Sequence, residues 1–234
     1  MKKLLASRSS TALTFGLSAL IILLWATPFV WPFKIVVVGL HEMSHAIAAV
    51  LTGGEVVGYS LAVNESGMVL SRGGWRFVFL NAGYLGSLLF GMAILWFSQR
   101  TDYDRQLVGL LAVMFIGTLF LRPTLIGAIV SLSVGAGFAA LAWRASHFWN
   151  DLVLRVLGLV SIVYVPLDIL SDVILGSGSL SDASMLAEEY GGHALAWGVL
   201  WIGAAAGLIW YAMPRILRTA SAPKPRASPL EQNR

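Results

Sequence analysis

Ile35-Val36-Val37-Val38-Gly39-Leu40-His41-Glu42-Met43-Ser44-His45-Ala46-Ile47-Ala48-Ala49-Val50 is an apolar run interrupted once, by three ionisable residues within five positions. The uninterrupted parts are too apolar and too long for an ordinary surface helix. They read as a helix inside a membrane. On that helix His41 and His45 lie four residues apart, on one face and one turn apart. Each ionisable side chain at bilayer depth costs roughly 2.5–3.5 kcal/mol on insertion scales. Three of them together call for a compensating partner, and a divalent cation is the natural one.

The rest of the chain agrees with a membrane setting. Its 234 residues are 57% hydrophobic and only 12% charged, with a mean hydropathy of +0.77. Soluble domains carry about 25% charged residues, so this chain cannot cover a water-facing surface. Continuous apolar runs also exclude an outer-membrane barrel, whose strands alternate. With no cysteine there is no disulfide framework, thiolate site or cysteine nucleophile. The net charge of +4 is not a nucleic-acid signal. Its basic residues gather at the ends, as topology signals or contacts with the lipid bilayer do.

Outward from the His pair, apolar runs cover about 11–31, 33–51, 76–97, 106–121, 124–143, 151–176 and 192–213. The expected fold is an all-α polytopic membrane protein of six or seven transmembrane helices. Residues 1–10 form a basic cytoplasmic head, 11–213 one membrane-embedded domain, and 214–234 a basic, disordered tail. Between the second and third runs, glycines bound an alternating stretch (Val57, Tyr59, Leu61, Val63) and a turn at Asn64-Glu65-Ser66-Gly67. This predicts a small β-hairpin at about 54–72. Seven crossings would put the two basic ends on opposite sides, so either one run is re-entrant or two half-helices share a crossing. With the head in the cytoplasm, the second run goes inward and the hairpin lies at the cytoplasmic side.

His41-Glu42-Met43-Ser44-His45 has the HExxH arrangement of zinc hydrolases. Two neutral imidazoles one turn apart can ligate one Zn²⁺. Zinc lowers the pKa of a bound water and polarises a carbonyl, and Glu42, adjacent but not ligating, is placed to act as general base. A catalytic zinc needs a third protein ligand. Asp168 and Asp172, at helical spacing after Tyr164-Val165-Pro166, are the candidates inside an apolar run, Asp168 being preferred. The other would orient a ligating His. Asn81 near the start of a span is a candidate for binding a substrate carbonyl or oxyanion, against a helix-packing reading. Asp182, Glu188 and Glu189 read as a solvated acidic loop, and His147 and His193 as interfacial residues.

Taken in order, His41-Glu42-Met43-Ser44-His45-Ala46, Leu51-Thr52-Gly53-Gly54, Asn81-Ala82-Gly83-Tyr84-Leu85-Gly86-Ser87, Asp168-Ile169-Leu170-Ser171-Asp172, Ser181-Asp182-Ala183 and Trp197-Gly198-Val199-Leu200-Trp201 resemble the site-2-protease-like zinc metallopeptidases, in particular their B-like branch. The resemblance covers about residues 33–205. It implies a multi-pass protein, of a bacterial plasma membrane, that cuts membrane-protein substrates in or near their transmembrane segments. It implies Zn²⁺ as cofactor, His41 and His45 as ligands, Glu42 as general base, and β-structure after the HExxH helix. The best-studied members take the third ligand from a Pro-preceded Asp-Gly pair. Pro166-Leu167-Asp168 keeps the Pro-x-Asp part, with Ile169 in place of the glycine. Two other classes fit the residues: a zinc-binding but inactive protein acting on membrane segments, and a metal or proton transporter.

Overall fold

In the computed structural model, the described residues are 2–174 and 181–219. The expected tail beyond residue 219 lies outside them. The chain forms α1 (Lys2–Leu23), α2 (Trp31–Leu51), β1 (Glu55–Leu61), β2 (Gly67–Arg72), α3 (Arg76–Arg100), α4 (Asp104–Gly117), α5 (Leu125–Arg144), α6 (His147–Ile169), α7 (Asp182–Tyr190) and α8 (Ala194–Thr219). The fold is the expected helical membrane fold with one two-stranded antiparallel hairpin. Residues 214–219, expected to belong to the tail, instead continue α8 through Pro214.

Five helices are long and apolar enough to cross a bilayer: α2, α3, α5, α6 with the turn that follows it, and α8. Among the residues whose side chains are described, the runs at 11–31 and 106–121 give shorter apolar helices: Ala12–Leu23 within α1, and α4 with 14 residues, about 21 Å at 1.5 Å per residue.

Contacts along α3 and α6 give the directions of α6, α2, α8 and α1. Ser161 of α6 donates to the Ser87 carbonyl (2.8 Å), and Tyr84 donates to Asp172 just beyond α6 (2.8 Å), so α6 runs against α3. This seam is close because glycines face it. A Cβ on Gly91 would lie 2.3 Å from that of Ser161, and one on Gly158 would lie 2.8 Å from the Gly91 carbonyl oxygen. Near approach of backbones substitutes here for the hydrophobic force that lipid does not supply. Helix α2 also runs against α3, since Thr52 at its C-terminal end accepts from the Trp75 amide (2.9 Å). Helix α8 runs with α3, because Trp197 meets Phe77 and Trp201 meets Tyr84.

Helix α1 settles the parity problem. Thr14 lies beside Gln99 at the far end of α3, and Trp25 beyond the helix packs on Tyr164, deep in α6. Helices α1 and α2 therefore run in the same sense. Their starts, the end of α8, and the 101–103 and 145–146 loops share one end of the bundle, here called the terminal face. The expectation that head and hairpin lie on the same side is overturned. It assumed that the chain crosses the bundle between α1 and α2, whereas the chain turns back over residues 24–30 and the two helices run in the same sense.

The hairpin starts at the opposite end and folds back along α2. Glu55 pairs with Arg72 and Leu61 with Gly67, and Lys34 near the start of α2 lies 3.7 Å from Glu65 at the hairpin turn. One edge of β1 is occupied by β2. The other meets the α4–α5 turn, where the Thr124 amide donates to the Tyr59 carbonyl (2.9 Å). Among the described residues, the outer edge of β2 pairs with no strand.

Candidate metal centre

The His pair sits in the C-terminal half of α2, against the first two turns of α3. Burial is nearly complete: His45 is 3% exposed and Glu42 5%. A buried imidazole needs partners, and His45 Nδ1 has one, donating to the Phe79 carbonyl at 2.7 Å. That bond fixes the tautomer and leaves Nε2 as a lone-pair donor. It faces His41 Nε2, 3.0 Å away.

The third member comes from α7. Asp182 Oδ2 lies 3.1 Å from His45 Nε2 and 3.3 Å from His41 Nε2. Among the described residues these three form the one group of ligand type whose donor atoms all lie within 4.8 Å. Asp182 is the first residue of α7, after Ser181, whose hydroxyl caps the Ser184 amide (3.2 Å). Ala183 and Leu186 are fully buried and seat the short helix on the bundle. Burial alone raises the Asp182 carboxyl. The nearby imidazoles of His45 and His41 outweigh it and hold the group below the usual carboxylate range.

This donor set fits zinc. Two imidazole nitrogens and a carboxylate oxygen are ordinary zinc ligands, with bonds of about 2.0–2.2 Å, and tetrahedral bonds of that length put ligand atoms about 3.3 Å apart. The observed separations of 3.0, 3.1 and 3.3 Å are close to this. Space has been kept in front of the nitrogens. A Cβ on Gly83 would come within 2.4 Å of His41 Nε2 and 2.5 Å of His45 Nε2. Only glycine leaves that position open.

Glu42 points to the hairpin. A Cβ on Gly67, the first residue of β2, would lie 2.5 Å from Glu42 Oε1. The carboxylate thus abuts the start of the strand with the unpaired edge.

The α6 carboxylates have other partners. Asp168, the preferred third ligand by sequence, receives a hydrogen bond from Tyr164 and is not in the three-residue group. Asp172, in the π-helical turn Leu170–Ile174 after α6, accepts from Tyr84. The Tyr84 ring stands edge-on to the His41 imidazole, centroids 4.7 Å apart at 82°. Asn81 has both ends of its amide engaged: it donates to the Phe77 carbonyl and accepts from Trp201 Nε1, each at 2.8 Å. Its observed role is helix packing. Asp182, read from sequence as part of a solvated loop, is 9% exposed and belongs to the centre. The signal that could have found it was the Ser-Asp pair opening a short helix, where an N-cap and a first-turn acid coincide. His147 lies at the terminal face, 3.0 Å from Asp104, and His193 precedes α8. Neither belongs to the three-residue group.

The model of the Peptidase M50B-like family matches residues 14–212. The chain belongs to this family, which is the site-2-protease-like family of membrane metallopeptidases. No match was found among curated proteins or solved structures. With five spanning-length helices, the chain is an integral membrane protein.

Proposed function

We propose that the protein is an intramembrane zinc endopeptidase that hydrolyses peptide bonds in or near transmembrane segments of other membrane proteins. The observation that carries this is the convergence of His41 Nε2, His45 Nε2 and Asp182 Oδ2, with Glu42 one residue from the first of them. His41, His45 and Asp182 would hold the metal. Asp168 and Asp172 act behind it, Asp172 through Tyr84. Bound zinc supplies a lowered water pKa and a polarised substrate carbonyl.

The remaining steps belong to the chain. Glu42 takes a proton from the attacking water at a carboxylate oxygen and passes it to the leaving amide nitrogen as the C–N bond breaks. A new C–O bond forms, and one water is consumed per peptide bond. A helical substrate hides its carbonyls in hydrogen bonds and has to unwind first. The open edge of β2 can accept the unwound segment as an added strand, replacing the lost main-chain bonds. Gly67 at its start brings that segment beside Glu42.

Casein, an unfolded chain, needs no unwinding and is a suitable first substrate for the zinc-loaded protein in mild detergent. The wild type is expected to produce fragments. Glu42→Gln is expected to keep its zinc and lose about 10²–10⁴-fold in rate. Equal cleavage by both proteins would sink the proposal.

A further inference from the structure

The stripe of α2 that carries the two histidines holds one more charged residue. Lys34 is seven positions before His41, two helical turns and about 10 Å away on the same face. Its ammonium lies over the Trp25 ring, 4.7 Å from the centroid, and 3.7 Å from the Glu65 carboxylate at the hairpin turn. Both side chains are largely buried, 14% and 28% exposed. Glu65 takes a left-handed backbone, φ 63°, a strained conformation of the kind retained at binding sites.

Trp25, Thr27, Trp31, Lys34 and Glu65 line a cavity of about 280 Å³. The cavity is at bilayer depth. Trp25 packs on Tyr164, ring centroids 6.2 Å apart. Tyr164 is 17 residues from the start of α6, about 26 Å, and nine residues from the far end of that span. A lipid headgroup does not sit at that depth. The cavity also adjoins the metal centre. Tyr164 donates to Asp168, and Glu65 is within electrostatic reach of both.

An ionisable pair inside a membrane domain marks a functional site by default, and its chemistry says what it takes. The 3.7 Å separation is longer than the roughly 2.7–2.9 Å of a charge-assisted hydrogen bond. Ammonium protons and carboxylate lone pairs therefore remain for a third group. A charged guest would leave one charge in excess in a low-dielectric site. A carboxamide would not. It is neutral, carries an acceptor and a donor side by side, and can accept from Lys34 while donating to Glu65. The Trp25 and Trp31 rings give its methylene groups apolar walls.

We propose that this cavity is a substrate subsite for an Asn or Gln side chain. The inference rests on the peptidase reading. An extended chain advances about 3.3 Å per residue, so the distance of about 10 Å between Lys34 and His41 places that side chain about three residues from the bond that is cut. An amide in a spanning segment loses its water partners, and the subsite restores them.

Four synthetic peptides test this: a lysine-flanked Leu-Ala spanning helix with Asn, Leu, Asp or Lys at its centre. Binding to the Glu42→Gln protein in mild detergent, which leaves the peptides uncut, would be followed by the anisotropy of a dye on the peptide. The Asn peptide is expected to bind at least about tenfold tighter than the Leu peptide, the worth of hydrogen bonds to two charged groups. The Asp and Lys peptides should bind no tighter than the Leu peptide. Lys34→Met combined with Glu65→Met should remove the preference. Lys34→Glu combined with Glu65→Lys should keep it, because an amide exchanges its donor and acceptor by turning about its last side-chain torsion. Equal binding of the Asn and Leu peptides overturns the assignment. So does a preference that survives the double methionine variant, or tightest binding by a charged peptide. Binding needs no cleavage, so its outcome is separate from that of the casein assay.

Discussion

Two acidic stretches of the chain differ in where their carboxylates find partners. Asp168 and Asp172 stand in and just after a spanning helix, four residues apart, where a buried charge most needs a cation. Tyrosine hydroxyls satisfy them instead, Tyr164 for Asp168 and Tyr84 for Asp172. Asp182 stands in a polar connection that looks solvated, yet α7 folds back and sets its carboxylate against both imidazoles. The cost of burying a charge ranks the residues that live in a span. It does not see a residue delivered from outside by a short capped helix.

The largest effect expected from breaking this contrast is at Asp182. Asp182→Asn should lower zinc affinity by at least about 100-fold, since each ligand carries a few kcal/mol of a binding free energy of roughly 10–16 kcal/mol. Asp168→Asn should leave bound zinc near one per chain. Metal analysis of the two purified variants decides between the stretches, and the opposite pattern would restore Asp168.

A smaller but still large effect is expected at Gly83. Gly83→Ala puts a methyl group 2.4–2.5 Å from both Nε2 atoms, so the imidazoles must move. Zinc affinity should fall about 10–100-fold, while Gly109→Ala, which meets nothing within 4 Å, should leave it unchanged. Titration against a competing chelator measures both.

Tyr84→Phe and Asp172→Asn probe the indirect role of the α6 acids. Outer-shell partners of a metal ligand are worth about 10–100-fold. The lower figure applies here because Tyr84 touches His41 through its ring and not through a hydrogen bond. Each variant should weaken zinc about tenfold and alter the visible spectrum of the cobalt-substituted protein. The double variant should be little worse than either, because the two residues act through one contact.

The smallest effect is expected at Glu189→Gln. The Arg76–Glu189 pair is more than a third exposed on both sides, and such pairs contribute about 0–1 kcal/mol. Zinc affinity should change less than about fivefold. A larger change would mean that α7 depends on this pair, and not on buried Ala183 and Leu186, to present Asp182.

The same contrast shows how far the sequence could be read. Hydropathy placed the spanning helices because a bilayer demands long apolar stretches, and the glycine-bounded alternation placed the hairpin. Spacing alone put His41 and His45 on one face. Asn81 was ambiguous because an amide near a span start fits packing and substrate binding equally. Its two hydrogen bonds, to Phe77 and Trp201, exist only once α8 lies against α3.

The sequence by itself determined the membrane class, the local hairpin and the pairing of two histidines with a neighbouring glutamate, since each depends on composition or on residues within a few turns of one another. Only the tertiary structure decided that Asp182 meets them, that Gly83 leaves the space, and that α1 and α2 run in the same sense. Those facts join positions between about 40 and 140 residues apart. No local pattern encodes which distant backbone approaches close enough, or which short helix turns its first carboxylate inward.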